Sequence, residues 1–164
     1  MTMKEVETGR IGELICLLRL SKMGIEAEIV NLGTSDIVAF AYDYTWRIQV
    51  KGSNIKENGG NSKSPGYQFC VSKGGQNKKP LEPTDCDIVA LVGIPQERVL
   101  FVPVSRFEGV KTKRYKTHDF IHPNLEYDSW AECMEEYGLT PPLPSSPPIP
   151  DPLCLVPEAE HKSP

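Results

Sequence analysis

Three polar side chains that could hydrolyse a phosphodiester lie close together in the first third of the chain. Asp36 begins the apolar run SDIVAFA, and Gln49 and Lys51 lie near the end of the next run, TWRIQVKGS. Carboxylate, amide and carbonyl oxygens are the hard ligands that Mg²⁺ and Mn²⁺ prefer. Such an ion holds a phosphodiester oxygen and activates water, while a neighbouring amine stabilises the charge that develops on phosphorus.

The two apolar runs predict a β-hairpin that brings these side chains together. Side chains alternate between the faces of a strand, so Gln49 and Lys51 share the face opposite to Ile48 and Val50. Antiparallel pairing through a turn in the segment DYT is expected to place Asp36 opposite roughly residue 51. An ordinary ion pair at the end of a hairpin is the alternative interpretation.

A second carboxylate comes from the first helical segment, KEVETGRIGELICLLRLSKMG. Apolar residues at 11, 14, 15 and 18 have the spacing of an amphipathic helix, and Gly24 is a natural stop. Glu13 lies among them, where an unpaired carboxylate is costly, so it requires a cation, either a metal ion or Lys51. An exposed position on the helix is the alternative.

The remaining pattern alternates short strands with polar loops. Strands are predicted at IEAEIVN, YQFCVS, DIVALVG and VLFVPV, with short helices near Ser105 and over DSWAECMEEYG. This order predicts an α/β fold with a mixed central β-sheet flanked by helices. Nine of the 15 prolines fall in residues 139–164, so we expect one domain over residues 1–138 and an extended or disordered Pro-rich C-terminal tail.

Composition excludes several classes of protein. Hydrophobic residues make up 39% of the chain and charged residues 24%, as in ordinary globular domains. No apolar run approaches the length of about 20 residues that crosses a membrane, and no signal-peptide pattern is present, so a cytoplasmic location is expected. The five scattered cysteines lack zinc-site spacing and predict reduced thiols.

The net charge of −4 averages two regions of opposite sign. Residues 1–118 contain 17 basic and 13 acidic residues, a net charge of +4. Residues 47–79 carry seven basic residues against one acidic residue, and a second basic cluster is RFEGVKTKRYK. Local basic segments of this kind predict a surface that binds a polyanion, with a merely solvated surface as the alternative.

In this order, the polar residues resemble the motif of the PD-(D/E)XK nuclease superfamily. The matching pieces are Glu13, Ser35-Asp36 and Gln49-Val50-Lys51, and the likeness covers roughly residues 5 to 110. The resemblance implies a restriction-endonuclease-like core and Mg²⁺-dependent cleavage of double-stranded DNA. The Gln-x-Lys version is similar to that of homing endonucleases encoded in cyanobacterial group I introns, which implies sequence-specific double-strand cleavage by a homotetramer.

Two residues depart from the superfamily pattern. Ser35 replaces the proline that mainly shapes the entry into the strand. Gln49 replaces an acid and leaves a metal one charge short, which implies either weakened catalysis or a metal site completed by Glu13 and a carbonyl such as that of Val50. The expected catalytic residues are Glu13, Asp36, Gln49 and Lys51. The expected ligands of Mg²⁺ or Mn²⁺ are Asp36, Gln49, Val50 and Glu13.

Long polar loops after the hairpin supply side chains suited to phosphates and base edges. The predicted DNA contacts are Lys56, Lys63, Lys73, Gln76, Asn77, Lys78 and Lys79. A double-strand cut also needs two active sites, which implies at least a dimer.

Three functions stay open on the sequence alone. A homing endonuclease is favoured by the long polar loops. A Holliday-junction resolvase-like enzyme would instead recognise branched DNA by its shape. A DNA-binding module with weakened catalysis is favoured by the neutral Gln49.

Overall fold

In a computed structural model, residues 3–54 and 65–140 are described. The first half contains α1 (Met3–Lys22), β1 (Glu26–Leu32), β2 (Ser35–Ala41), β3 (Tyr44–Ser53), β4 (Gly66–Cys70), β5 (Ser72–Lys73) and β6 (Lys79–Pro80). The second half contains β7 (Ile88–Gly93), β8 (Arg98–Pro103), β9 (Thr112–Lys116) and α2 (Leu125–Glu136), with 3₁₀ turns at Ile94–Gln96, Val104–Phe107 and Thr117–Phe120. Two predicted DNA contacts, Lys56 and Lys63, and most of the predicted tail lie outside the described residues.

Five strands form the central sheet in the order β1-β2-β3-β7-β8. The strands β3 and β7 pair in parallel, and the other neighbours pair antiparallel. All six residues of β7 are buried, as expected for a strand covered on both faces. The predicted α/β fold with a mixed, helix-flanked sheet is therefore confirmed. Neither helix in the described part of the chain is long and apolar enough to cross a membrane.

The sheet separates two apolar cores. On one face, α1 and α2 pack against the sheet through residues such as Leu20 and Met134. On the other face lies an antiparallel pair formed by β4 and β9, whose Tyr67 and Phe69 are fully buried. The sequence predicted β4 as a strand, but it predicted neither β9 nor the pairing of the two.

The buried face of α1 differs from the face that its apolar spacing predicted. Three of the four predicted positions are about half exposed: Ile11, Leu14 and Leu18. The helix packs closely on β3 at Gly52, where a Cβ would lie 3.1 Å from the carbonyl oxygen of Thr8. The small residues Gly12 and Cys16 let the helix lie directly on β3, which turns the larger apolar residues toward solvent.

The strands β2 and β3 form the predicted hairpin, but the expected register was wrong. Ile37 pairs with Ile48, so Asp36 lies next to Gln49 rather than opposite residue 51. The turn is Tyr42–Asp43, whose two φ angles of 56° and 61° match the two-residue turns that suit the twist of hairpins. Because the register differs by two residues, every side chain keeps its predicted face.

Candidate active site

The carboxylate of Asp36 lies at the centre of the polar cluster. Its Oδ2 accepts hydrogen bonds from Gln49 Nε2 at 2.6 Å and from the main-chain N–H of Val50 at 2.7 Å. Burial raises the pKa of Asp36; the hydrogen bond from Val50 opposes that rise, and the negative charge of Glu13 adds to it. A half-buried carboxylate with a second one nearby is stabilised by a cation.

Gln49 completes the strand side of the cluster and is only 9% exposed. Its Nε2 points at Asp36 and lies 3.5 Å from the carbonyl oxygen of Val50. Rotation of the terminal amide by half a turn exchanges Oε1 and Nε2 in place. The same side chain can therefore donate to Asp36 or present an oxygen to a cation beside it.

Lys51 is positioned by a main-chain carbonyl from a distant segment. Its Nζ donates a hydrogen bond to the carbonyl of Ser72 in β5 at 3.1 Å. Burial lowers the pKa of Lys51, and the negative charge of Asp36 opposes that shift. The amine is thus held near Asp36, yet its hydrogen bond goes to Ser72, which argues against a simple ion pair at the end of a hairpin.

Glu13 approaches the cluster from α1 and is partly buried. It forms an ion pair with Arg10 one turn earlier, at 2.9 Å. Burial is the main cause of the raised pKa of Asp36, and the negative charge of Glu13 adds to it. The packing of Gly12 on β3 is what brings this turn of the helix against the strand.

A cleft of about 1020 Å³ opens over Glu13, Val50 and Lys51. Its other walls are the first turns of α1 and the loop between β5 and β6. Asp36 and Gln49 do not line the cleft, but Val50 does. Asp36 accepts a hydrogen bond from the N–H of Val50, and Gln49 precedes Val50 in the strand. The cluster therefore forms part of the cleft floor and the structure directly beneath it.

Cys70 lies between a hydroxyl and a lysine in this cleft. Its Sγ lies 3.0 Å from Ser72 Oγ and 3.4 Å from Lys78 Nζ. Burial alone would raise the pKa of Cys70, but these hydrogen bonds and the charges of Lys78 and Lys51 lower it overall. Sequence reasoning missed Cys70 and Ser72, because no local signal shows that β4 and β5 pass beside β3.

The loop residues predicted to contact DNA fall into different environments. Gln76 and Lys78 line the cleft. Lys73 is instead bound in an ion pair with Asp85 at 2.6 Å, which offsets its charge. The remaining described residues of this set, Asn77 and Lys79, are exposed.

The oxygen donors of the cluster fit a hard divalent cation, although not through carboxylates alone. The described residues contain no group of three or more His, Cys, Asp or Glu side chains that could hold a metal ion. Asp36 and Glu13 offer two carboxylates, and Gln49 and Val50 offer an amide and a carbonyl oxygen. Mg²⁺ is usually bound by one or two carboxylates, with water and substrate oxygens completing its shell.

Comparison with solved structures finds this fold in a known enzyme. The bacterial homing endonuclease I-Ssp6803I is 16% identical and superimposes with a TM-score of 0.60, over 84% of this chain and 97% of the endonuclease chain. No protein-family model matches the chain, and no curated protein matches its sequence. At this level of identity the likeness shows a shared fold, the same fold class that the sequence predicted.

Proposed function

We propose that the protein is a metal-dependent DNA endonuclease of homing type, which cuts both strands of a specific duplex site. The observation that supports this is that Glu13 and Lys51 line one cleft while Asp36 and Gln49 lie beneath it, bonded to each other and against Val50, in a fold shared with a homing endonuclease. The (D/E)xK motif alone would not justify the proposal, because this pattern arises by chance in many hairpins.

The proposed chemistry assigns a separate task to each side chain. Bound Mg²⁺ or Mn²⁺ would supply positive charge at the scissile phosphate and acidify the attacking water. Asp36, Glu13, the amide oxygen of Gln49 and the carbonyl of Val50 would hold that ion. Lys51, kept in place by the Ser72 carbonyl, would stabilise the charge that develops on phosphorus.

The proposed partners are double-stranded DNA and further copies of the chain. The DNA would lie in the cleft, which the basic side chains of Lys51 and Lys78 line. We propose a homotetramer, with a dimer as the minimum for a double-strand cut. The exposed apolar residues of α1 support self-association, since soluble monomers rarely leave contiguous apolar surface uncovered.

The test is cleavage of a randomised duplex library in the presence of Mg²⁺, followed by sequencing of the cut ends. Wild-type protein should produce discrete ends. Lys51→Ala should lower cleavage by more than about 100-fold, the scale of a lost electrostatic catalyst, with DNA binding retained. Lys22→Ala, which removes an exposed lysine at the end of α1, should cut like wild type.

Three outcomes would contradict the proposal. Cleavage of branched junctions without sequence preference would favour a resolvase-like enzyme. DNA binding by the wild-type protein without cleavage would favour a DNA-binding module, the alternative that the neutral Gln49 supports. Equal loss of binding and cleavage in Lys51→Ala would make that lysine a structural residue.

A further inference from the structure

We infer that the β4–β9 ribbon, Gly66–Cys70 paired with Thr112–Lys116, enters the major groove of duplex DNA and reads bases through Gln68 and Arg114. The inference rests on the proposed endonuclease function, because it assigns the target sequence of that enzyme to a surface beside its cleft. Neither residue is among the side chains predicted from the sequence to contact DNA, although Arg114 lies in the second basic cluster, RFEGVKTKRYK.

One face of the ribbon is buried and the other faces solvent. On β4, Tyr67 and Phe69 point into the core, so Gln68 and Cys70 point outward. In the antiparallel register Gln68 is paired with Arg114. Directly paired residues project from the same face, so the amide and the guanidinium stand side by side on the exposed surface.

The ribbon is basic, as a nucleic-acid surface must be. Strand β9 has the sequence TKRYK, with three basic residues and no acidic residue, and Tyr115 is its one residue that is not exposed. Strand β4, GYQFC, contains no acidic residue either. Like charges placed together weaken a sheet, so a concentration of them on a short ribbon is typical of a binding surface.

Arg114 extends across the ribbon. A Cβ at Gly66 would lie 3.3 Å from Arg114 Nε and 2.8 Å from the carbonyl oxygen of Tyr115. The absence of a side chain at Gly66 thus leaves room for the arginine to lie over β4, beside Gln68. A guanidinium held against a rigid surface loses less conformational freedom when it binds a base edge.

A hydrogen bond joins the ribbon to β3. Ser53 Oγ at the end of β3 donates to the carbonyl of Gln68 at 3.0 Å. Cys70, at the end of β4, lines the cleft that contains Lys51. On the exposed face, the pair Gln68–Arg114 lies two residues along the strand from the pair Cys70–Thr112, a distance of about 7 Å. The readers therefore lie within a few base pairs of the proposed cut.

The geometry favours duplex DNA over RNA. The major groove of B-DNA admits a two-stranded β-ribbon, where Arg binds guanine and Gln binds adenine, each through two hydrogen bonds. The major groove of A-form RNA is too narrow for side chains to read. A ribbon with an arginine and a glutamine on its outer face therefore suits the major groove of B-DNA.

The experiment is a binding selection from a randomised duplex library without Mg²⁺, with cleavage measured separately in Mg²⁺. Arg114→Lys keeps the charge but loses the planar double donor, so affinity should stay within a few fold while discrimination at one base pair falls roughly tenfold or more. Arg114→Gln should shift that position from guanine toward adenine. Gln68→Ala should relax a neighbouring position by a similar factor.

The matched control is Lys113→Ala, which removes an exposed charge one residue away on the opposite side of β9. Because Lys113 lies on the face away from the proposed readers, it should leave the base preferences unchanged and alter affinity for all sequences by the same factor. Thermal melting identifies any variant that fails to fold, and the two substitutions at Arg114 and the one at Gln68 give three independent readings.

The outcomes separate this inference from the proposed activity. Base preferences that stay unchanged in all three variants overturn the inference, even if the wild-type protein cuts DNA. Preferences that change in the variants support it, even if the wild-type protein cuts nothing and the proposed activity fails. Preference for double-stranded RNA, or no selection of sequence by wild type, overturns the inference outright.

Discussion

At the scale of single residues, the neutral Gln49 is the feature that distinguishes this cluster. A carboxylate at this position would lie against Asp36, whose Oδ2 is 2.6 Å from Gln49 Nε2. With Glu13 also nearby, three negative groups would then share one partly buried region. The amide keeps the cluster stable without a cation, while its oxygen can still serve as a ligand.

Gln49→Glu tests this role. Without Mg²⁺ the substitution should lower the free energy of unfolding by about 1–2 kcal/mol, because like charges at this distance oppose ionisation by about a pKa unit. Mg²⁺ should then raise the melting temperature of the variant more steeply than that of wild type, with metal-dependent cleavage retained. Melting curves over a Mg²⁺ titration measure both effects.

The control for this prediction is Asn77→Asp, which adds the same charge at an exposed loop position. It should leave the Mg²⁺ dependence of the melting temperature unchanged. Identical Mg²⁺ titrations for wild type and Gln49→Glu would show that position 49 does not face the metal.

At the scale of elements, a buried ion pair holds α2 against strand β8. Glu126 accepts two hydrogen bonds from Arg98, each at 2.8 Å, and one from the N–H of Val99. Two residues later in the strand, the N–H of Phe101 donates to Ser129 Oγ. Burial acts to raise the pKa of Glu126, but the hydrogen bonds from Arg98 and Val99 lower it overall.

Glu126→Gln should therefore destabilise the protein by about 3 kcal/mol, since it leaves the largely buried Arg98 side chain, 16% exposed, without its counter-charge. The lowered pKa means that the folded state binds this proton less readily than the unfolded state. The contribution is fully present above pH 4.5 and is lost as the pH falls below that value through the lower folded pKa. The stabilities of wild type and variant should converge in that acid range.

Denaturant unfolding at several pH values measures this convergence. Glu132→Gln, at an exposed position on the same helix, should change stability by less than about 0.5 kcal/mol. A constant difference between wild type and Glu126→Gln at every pH would contradict the assigned role of the carboxylate.

The sequence pattern predicted those structural features that depend on residues close together in the chain. The helix α1, the hairpin and the buried strand β7 each carry their signal within one segment, and the polar set was predicted from its position in those segments. The register was wrong by two residues because Tyr42–Asp43 adopts left-handed φ angles without a glycine to indicate them. The pairing of β4 with β9 and the contact of Lys51 with Ser72 join distant segments, and no periodicity encodes them.

At the scale of the whole molecule, the solvent-facing side of α1 predicts self-association. Leu14 and Leu18 lie one turn apart and are each about half exposed. The double substitution Leu14→Glu and Leu18→Glu should reduce the mass measured by light scattering to that of a smaller assembly or a monomer. Because each subunit would then act alone, double-strand cuts should give way to nicks.

The control for this prediction is Ile121→Glu, an equally exposed apolar residue outside α1. It should leave the mass unchanged. An unaltered mass for the double variant would show that copies meet through another surface.

The side chains of α2 along β8 have one more effect. An edge strand normally offers free N–H groups that recruit strands from other chains, which leads to fibres and aggregates. Glu126 and Ser129 occupy two of these donors on β8, so polymerisation through that edge would first have to detach the helix. Acid conditions that protonate Glu126 should therefore promote aggregation of molecules that still retain most of their native sheet.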